Sequence, residues 1–274
     1  MTRGELRIDL NSDMGELPEA IADGTQESLM ASLTSGNIAC GGHAGDERMM
    51  KRTIEQALKW KLAIGAHPGY ADRANFGRVE LKLPAKEIAD SVYGQVRALA
   101  EIAAGCGARL VHVKPHGALY NQAVKNREFA EAIAEGVKKA VAAENAAAAS
   151  RRCSYLSEDV VLVGLAGSPM LEVFRKAGFA VAAEAFADRR YEADGTLRSR
   201  KFGDALIRDP GEAGRQALSI VERGVVIACD GSEVRVDAQT LCIHGDTPGA
   251  PKIAAEVART LREAGVTLCS LNQS

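Results

Sequence analysis

The stretch NIACGGHAGDERMMKRTIEQAL, residues 37–58, decides the fold class of this chain. Its first four residues read as a short strand, and two glycines and His43 follow. Asp46 then stands where a helix N-cap is expected, because its side chain can accept a hydrogen bond from a free backbone N–H. Apolar residues recur beyond it at helical spacing on one face: Met50, Ile54, Ala57 and Leu58. The order is strand, turn, helix.

The same unit recurs along the chain. Apolar runs that read as strands occur at residues 6–10, 37–40, 62–67, 109–113, 160–167, 179–186 and 240–244, about seven in all, and the segments between them carry helical patterns, including a short helix at 25–35. Buried strands alternating with helices predict a parallel sheet covered by helices. The pattern allows an open doubly wound sheet, but the lack of a linker favours one closed (β/α) barrel domain over residues 1–274.

Composition excludes several classes of protein. The 274 residues are 46% hydrophobic and 26% charged, with a formal charge of −2, so the chain can bury a full core and has no basic excess for nucleic acid. A small-molecule substrate is favoured. No apolar run approaches the roughly 18 residues of a membrane span, so we expect a cytoplasmic protein without membrane contact. The six cysteines form no Cys-x-x-Cys pair and are expected to be mostly reduced core residues.

Polar side chains collect where the strands end. Four of the five histidines end predicted strands, and side chains two apart along a strand share a face. This alternation turns one set of polar residues toward the barrel axis: Asp9, Asn11, Asp13, His112, Lys114, His116, Glu184, His244 and Asp246. In parallel α/β folds the loops after the carboxyl ends of strands build the site. We therefore expect one polar mouth, although Asp9 and Glu184 fit structural ion pairs equally well.

Two chemistries suit this set of residues. Asp13, His43 and His67 are candidate ligands of a divalent metal, which would polarise a carbonyl or activate water. Alternatively, the same acids and imidazoles act without metal as general acid and base, while Lys114 holds an anionic group or a developing oxyanion. A serine nucleophile is set aside because no Gly-x-Ser-x-Gly elbow occurs, and no phosphate-binding loop of the Gly-x-x-x-x-Gly-Lys-Ser/Thr type is present.

Six motifs resemble one known family. They are DLNSDMGE (9–16), NIACGGHAGD (37–46), GAHPGY (65–70), VKPHGALYN (113–121), EAFADRRY (184–191) and HGDTPGA (244–250), and they span nearly the whole chain in order. Together they are similar to the LamB/YcsF family, described as A subunits of 5-oxoprolinase. The resemblance implies a distorted TIM-like (β/α)7 barrel related to the glycoside hydrolase and deacetylase barrels.

The resemblance also implies a reaction and partners. It implies ATP-dependent hydrolytic opening of the lactam 5-oxo-L-proline to L-glutamate, together with subunits B and C. Phosphorylation of the lactam oxygen would make the carbonyl more electrophilic, with ATP handled jointly with the partner subunits. A metal-dependent deacetylase of a carbohydrate or N-acetylated substrate is the alternative enzyme. A lactam- or carbohydrate-binding regulatory protein without turnover is a third possibility.

Roles follow for individual residues. The catalytic candidates are Asp13 and His116, as acid, base or water-positioning groups, Lys114, as a contact for oxyanion or carboxylate, and Glu184, which supports them. Substrate-binding candidates are Asn11, His43, His67, Arg189, Arg190 and His244. Arginine binds carboxylates bidentately, so loop arginines are candidates to clamp a substrate carboxylate: Arg73, Arg78, Arg189 and Arg190. By analogy with the deacetylase barrels, the candidate metal set is Asp13, His43 and His67.

Overall fold

A computed structural model of the chain describes residues 5–151 and 155–271. In chain order its strands are β1 (Arg7–Met14), β2 (Ser35–Ala39), β3 (Ala63–His67), β4 (Leu110–Val113), β5 (Leu156–Leu165), β6 (Ala180–Phe186), β7 (Val225–Ile227), β8 (Glu233–Arg235), β9 (Thr240–Cys242) and β10 (Thr267–Leu268). Its helices are α1 (Pro18–Ala22), α2 (Thr25–Met30), α3 (Glu47–Lys59), α4 (Ala85–Gly105), α5 (Gly117–Lys125), α6 (Arg127–Arg151), α7 (Pro169–Lys176), α8 (Pro210–Arg223) and α9 (Ala250–Glu263), with a 3-10 turn at Arg73–Asn75.

Seven parallel strands close into a barrel. They follow the order β1-β2-β3-β4-β5-β6-β9, and β9 pairs with both β6 and β1. The pairing of Asp9 with Thr240 and of Asn11 with Cys242 makes this closing seam, which excludes the open sheet. The predicted (β/α)7 barrel is therefore confirmed. The domain prediction over 1–274 includes residues outside the described ranges and stays a prediction.

Two smaller pieces of sheet lie outside the barrel wall. The short β10 pairs in parallel with β1, at Arg7 and Ile8. Strands β7 and β8 form an antiparallel hairpin about Asp230 and Gly231, a residue pair that favours such turns, and Ser232 N donates to Asp230 Oδ1 at 2.9 Å in the turn. Both pieces leave the polar end of the barrel free.

Apolar and polar side chains alternate along β1. Ile8 and Leu10 are buried in the apolar core that packs between strands and helices, as period-2 alternation predicts. Asp9 and Asn11 are also buried, but they point inward into hydrogen bonds with other strands. The barrel interior is consequently polar over much of its height, and its buried groups need internal partners.

Most helix boundaries agree with the sequence signals. Asp46 caps α3 by accepting from Met49 N at 2.8 Å, and Asp209 caps α8 by accepting from Glu212 N at 2.7 Å. The helix expected at 25–35 is wrong at its end, because α2 stops at Met30 and Ser35 already belongs to β2. The hydroxyls of Thr34 and Ser35 both donate to Asp9 Oδ1 at 2.6 Å, so tertiary hydrogen bonds override the helical pattern there.

Four of the cysteines lie outside the site: Cys40 and Cys269 are buried, Cys106 is partly exposed and Cys229 is exposed. Cys242 is buried beside Lys114. None of these five described cysteines is in a disulfide, as expected, and the prediction for Cys153 falls outside the described residues. Within the described chain, each helix is too short or too polar to cross a bilayer.

Candidate active site

The carboxyl ends of β1, β3 and β4 place four chemically active side chains side by side. Asp13 lies near the end of β1, His67 ends β3, and Lys114 and His116 follow β4. Parallel strands bring their carboxyl ends to one rim, so residues far apart in the sequence become neighbours there. The structure brings these four residues together, as the sequence predicts.

A pair of histidines forms the centre of the site. His67 Nε2 and His116 Nδ1 are 2.9 Å apart. The far nitrogen of each ring contacts a backbone carbonyl, at 2.7 Å for His67 Nδ1 to Lys114 O and 2.9 Å for His116 Nε2 to Phe76 O. A carbonyl only accepts, so both far nitrogens carry hydrogen. If both rings were neutral, His67 Nε2 and His116 Nδ1 would each carry a lone pair and would repel each other at this distance. One additional proton, or a cation, must therefore lie between these two nitrogens.

The surroundings assign that proton to His67. Burial lowers the pKa of His67, but the Asp13 carboxylate 3.3 Å from Nε2 outweighs burial and raises the pKa above its usual value. Burial and the charge of His67 lower the pKa of His116 to about 3. His67 is therefore the imidazolium that donates to His116 Nδ1.

Asp13 is held as a carboxylate by cations on two sides. Its Oδ1 accepts from Lys114 Nζ at 3.0 Å and from Asn37 Nδ2 at 2.9 Å. Although burial raises the pKa of Asp13, the charges of His67 and Lys114 bring it well below its usual range. Asn37 is itself fixed by His112, whose Nε2 donates to Asn37 Oδ1 at 2.7 Å. Asn37 was not identified from the sequence, although alternation along β2 turns it inward.

Lys114 lies among buried acceptors. Its ammonium contacts Glu184 Oε1 at 2.8 Å, and Cys242 Sγ and Asn11 Oδ1 at 3.1 and 3.4 Å, in addition to Asp13. Burial lowers its pKa, but Asp13 and the other neighbours raise it well above the usual value, so Lys114 stays charged. Its contacts fit a counter-ion that stabilises the two carboxylates. Glu184 also accepts from Tyr120 Oη at 3.0 Å, a contact that was not predicted from the sequence.

Glu16 and His43 complete the site on one side. His43 Nε2 and Glu16 Oε1 are joined by a hydrogen bond of 2.7 Å, and burial lowers the pKa of His43 to about 2, so the ring is neutral. Its Nδ1 has no hydrogen-bond partner, which assigns the N–H to Nε2. Burial also raises the pKa of Glu16. The sequence motif DLNSDMGE contains Glu16, but no periodic signal distinguished it.

Glycines set the distance between these rings. A Cβ on Gly69 would lie 2.8 Å from His43 Nδ1, and one on Gly77 would lie 2.8 Å from His43 Cβ and 3.1 Å from His116 Cδ2. The rings of His43 and His116 stack with their centroids 3.6 Å apart and an interplanar angle of 5°. The backbone of Gly69 and Gly77 therefore packs directly against the stacked histidines and fixes the position of both rings.

The donor set fits a divalent metal only in part. Single atoms of Glu16, His43, His67 and His116 lie within 4.8 Å of one another, and Asp13 forms a second group with Cys242 and His244. Among Glu16, His67 and His116 the separations are 2.9, 3.3 and 3.8 Å, close to the ~3.3 Å between ligands of a tetrahedral zinc ion. Histidines whose other nitrogen donates to a carbonyl are typical metal ligands.

His43 does not join that set. Its ring is stacked in parallel on that of His116, and its Nε2 is already hydrogen-bonded to Glu16 Oε1 at 2.7 Å. The three residues that fit are Glu16, His67 and His116. The predicted set of Asp13, His43 and His67 stays a prediction, and only His67 is common to both.

A cavity of about 580 Å³ opens over this site. Eight of the residues predicted from the sequence line it: Asp13, His67, Arg78, Lys114, His116, Arg189, His244 and Asp246. The other predicted residues lie elsewhere. Asn11, His43 and Glu184 are buried below the cavity wall, where they contact the lining residues. Arg190 pairs with Glu212 at 2.7 Å and lines a separate cavity beside α8.

The outer wall of the cavity is rich in arginine. Arg78 NH2 lies 2.5 Å from Asp246 Oδ2, and Arg200 NH1 reaches the same oxygen at 2.9 Å. Arg189 NH2 donates to the carbonyl of Arg198 at 2.6 Å, while its buried Nε has no partner. Arg200 was not predicted from the sequence, because it lies in a long loop without periodicity. Arg73 instead donates to the carbonyls of Gly41 and Gly45.

His244 is oriented by a buried acid, Asp188, that was not predicted from the sequence. Its Nδ1 contacts Asp188 Oδ1 at 2.9 Å, and Asp188 Oδ2 accepts from the backbone N–H of His244 at 3.0 Å. Burial raises the pKa of Asp188, but His244 brings it below the usual value. His244 also stacks on Phe186 at 5.4 Å. The ring is therefore fixed at the edge of the cavity.

Comparison with known proteins gives consistent matches. A model of the LamB/YcsF family matches residues 8–274. The A subunit of 5-oxoprolinase from Chloroflexus aggregans is 47% identical over 263 residues, which cover 96% of this chain and 98% of that protein. The protein of the same name from Heliobacterium modesticaldum is 43% identical and covers 96% and 97%. A solved structure, the lactam utilization protein from Thermus thermophilus, aligns with a TM-score of 0.84 at 39% identity over 97% of this chain and 100% of that one.

Proposed function

This chain belongs to the LamB/YcsF family, and we propose that it is the A component of a 5-oxoprolinase, which opens the lactam 5-oxo-L-proline to L-glutamate with ATP and partner subunits. The names of the relatives support the reaction and the existence of partners. The ATP requirement and the identity of subunits B and C are parts of the proposal.

One observation supports hydrolysis most strongly. The imidazole pair His67–His116, the Asp13 carboxylate and the Glu16 carboxyl group lie together on one wall of a cavity that admits a small molecule. Groups that hold and release protons next to a cavity are the equipment of general acid–base catalysis.

Lactam hydrolysis needs two proton movements. The oxygen of one water becomes bonded to the ring carbonyl carbon as that water loses a proton, and the bond from this carbon to the ring nitrogen breaks as the nitrogen gains one. The products are the γ-carboxylate and the free amine of glutamate. A site must therefore accept a proton near the carbonyl carbon and deliver one near the nitrogen.

The residues supply both functions in this proposal. His67 delivers its proton to the nitrogen as the ring opens, and His116 Nδ1, which gives up that hydrogen bond, accepts the proton of the attacking water, so the pair ends with one shared proton as it began. Asp13 stabilises the charged form of His67. Lys114 keeps Asp13 ionised and also contacts Glu184, and its positive charge favours a negative oxygen nearby.

A bound metal would take the place of the proton between His67 and His116, because the same two ring nitrogens would hold it. If a divalent ion binds, Glu16, His67 and His116 would hold it, and it would polarise the carbonyl or lower the pKa of a bound water. ATP has a separate role, because an amide carbonyl is a poor electrophile. We assign its activation to the complex with the partner subunits: a phosphoryl group passes from ATP to the lactam oxygen with release of ADP, and after ring opening a second water releases that group as inorganic phosphate.

The test is glutamate release from 5-oxoproline by purified components. We expect release with ATP when the chain is combined with its B and C partners, and none from the chain alone. Asp13→Asn should lower the rate of the complete mixture by about 10²-fold or more, since the imidazolium loses its counter-charge. Arg223→Gln, on an exposed ion pair with Glu233, is the matched control and should be unaffected.

Three results would contradict the proposal. The first is absence of glutamate from the complete mixture, and the second is ready turnover by the isolated chain. The third is release of acetate from an N-acetylated substrate without ATP, abolished by a chelator, which would establish the deacetylase instead. Circular dichroism of Asp13→Asn shows whether a lost rate reflects a lost fold.

A further inference from the structure

The cavity has two ends of different charge. At the inner end, Asp13 and Glu184 are balanced by Lys114 and the imidazolium of His67. At the outer wall, three guanidinium groups, those of Arg78, Arg189 and Arg200, lie near two carboxylates, Asp188 and Asp246. Among these five groups, positive charges outnumber negative charges by one.

Asp246 links two of these arginines without satisfying them. It accepts from Arg78 NH2 and Arg200 NH1 through one oxygen, Oδ2, and from Arg200 NH2 at 3.4 Å through the other. Each guanidinium carries five N–H donors, so both retain donors for a second carboxylate. The Asp246 bridge fixes their relative position, because one residue joins loops that follow different strands.

Arg189 provides an independent indication of an anion. It is only 7% exposed, it lines the same cavity, and its buried Nε–H has no hydrogen-bond partner. A buried unpaired donor costs free energy unless a ligand satisfies it. Asp188, the nearest acid in sequence, is already engaged by His244 and Thr247.

The outer wall is joined to the acid–base pair through the main chain. Arg78 follows Gly77, whose backbone packs against His43 and His116. Asp246 follows Gly245, where an added Cβ would lie 3.2 Å from the carbonyl oxygen of Asp13. Arg78 and Asp246 are thus each adjacent in sequence to a glycine that packs against residues of the acid–base site.

We infer that Arg78 and Arg200, positioned by Asp246 and assisted by Arg189, bind the carboxylate of the substrate and so orient its ring amide toward His67 and His116. This inference rests on the proposed function and names the residues that select a lactam with a carboxylate. Arg190, predicted from the sequence for the same role, faces the other cavity.

The test compares 5-oxoproline with 5-oxoprolinamide, in which a neutral carboxamide replaces the carboxylate. The complete enzyme with its partners is assayed for kcat/KM on both compounds, and the dissociation constants for the isolated chain are measured by calorimetry. Arg78→Gln and Arg200→Gln should each lower the preference for the carboxylate by about 10- to 100-fold, the range for a hydrogen bond to a charged group. Values for the carboxamide should stay within about threefold.

A matched control separates this effect from loss of any arginine. Arg259→Gln removes a guanidinium that is also held by carboxylates, Glu256 and Glu263, but on exposed helix α9, and it should leave the preference unchanged. If the wild-type enzyme makes no glutamate, the proposed function fails. If it is active and both variants keep the full preference for the carboxylate, the arginine assignment is wrong while the function stands.

Discussion

Asp9 is an ionisable residue enclosed within the barrel. It is fully buried, and Thr34, Ser35 and Thr240 donate to its two oxygens. These hydrogen bonds favour the carboxylate, but burial outweighs them and raises its pKa from 3.8 to about 6. The folded protein therefore holds a proton that the unfolded chain has already released at intermediate pH.

That difference predicts a pH dependence of stability. Between pH 3.8 and about 6 the folded state binds one proton more than the unfolded state, so the free energy of unfolding falls as pH rises, by ~3 kcal/mol in total. The contribution is fully present only below pH 4. Asp9→Asn lacks this group, and urea unfolding at pH 4, 5, 6 and 7 should give a wild-type loss between pH 4 and pH 7 about 2 kcal/mol greater than that of the variant.

The free energy of unfolding of the variant is subtracted from that of the wild type at each pH. This difference cancels the contribution of the other carboxylates, which titrate in both proteins. Above pH 6 to 7 the difference should become constant. Parallel curves from pH 4 to pH 6 would show that Asp9 titrates normally in the folded protein.

Single residues differed in how well the sequence identified them. His67, His116 and Asp13 were found because strand ends and alternation specify a direction for each side chain. Glu16 lies just beyond β1 and Arg200 lies in a long loop, so neither follows a strand period. The proton state of the histidine pair also depends on the backbone carbonyls of Lys114 and Phe76, which no sequence pattern locates.

Among the elements, β3 and β4 depend on one small residue. Gly65 of β3 pairs with His112 of β4, and a Cβ at Gly65 would lie 2.1 Å from His112 Nε2. The imidazole occupies the space over the glycine and donates to Asn37 on the neighbouring strand. Where these strands pair, the His112 ring therefore packs directly on the backbone of Gly65.

Gly65→Ala should lower the free energy of unfolding by about 1–3 kcal/mol, because the ring must move out of a packed interior. In the His112→Ala background the same change should cost at least about 1 kcal/mol less, which a double-mutant cycle in urea measures. Gly94→Ala, on α4 with open space around it, should be neutral or stabilising. An equal cost for Gly65→Ala with and without the histidine would show that the two residues are not in steric conflict.

The elements themselves were largely predictable. Strands and long helices follow from apolar runs and caps, and the Asp230–Gly231 turn marked the β7–β8 hairpin. The end of α2 was not predictable, since Thr34 and Ser35 hydrogen-bond to Asp9, which is distant in sequence. Local patterns do not include such contacts.

For the whole molecule, the decisive contact is the seam between the first and last barrel strands. Thr240 of β9 donates to Asp9 and accepts from Asn11 Nδ2 at 2.6 Å, so one hydroxyl serves two buried groups of β1. The repeated units predicted a closed barrel. They also placed the last strand at 240–244, but not the hydrogen bonds of the seam, because Asp9 and Thr240 are far apart in the sequence.

Thr240→Val keeps the shape of the side chain and removes both hydrogen bonds. It should lower the free energy of unfolding by about 1–3 kcal/mol, since it leaves a buried acceptor and a buried donor each one partner short. Thr267→Val, on β10 where the hydroxyl donates to Glu5 at the surface, should change stability by less than about 0.5 kcal/mol. Equal effects of the two substitutions in urea unfolding would show that the Thr240 hydroxyl does not stabilise the seam.

The glycines packed against the imidazoles have an implication for how this protein tolerates change. Gly69 and Gly77 carry no functional group, yet any side chain there would collide with the stacked rings. In a saturation-mutagenesis library selected for growth on the substrate, both positions should therefore be as intolerant as His43 and His116 themselves. Searches for improved enzymes that randomise only reactive side chains would leave the main determinants of their spacing untouched.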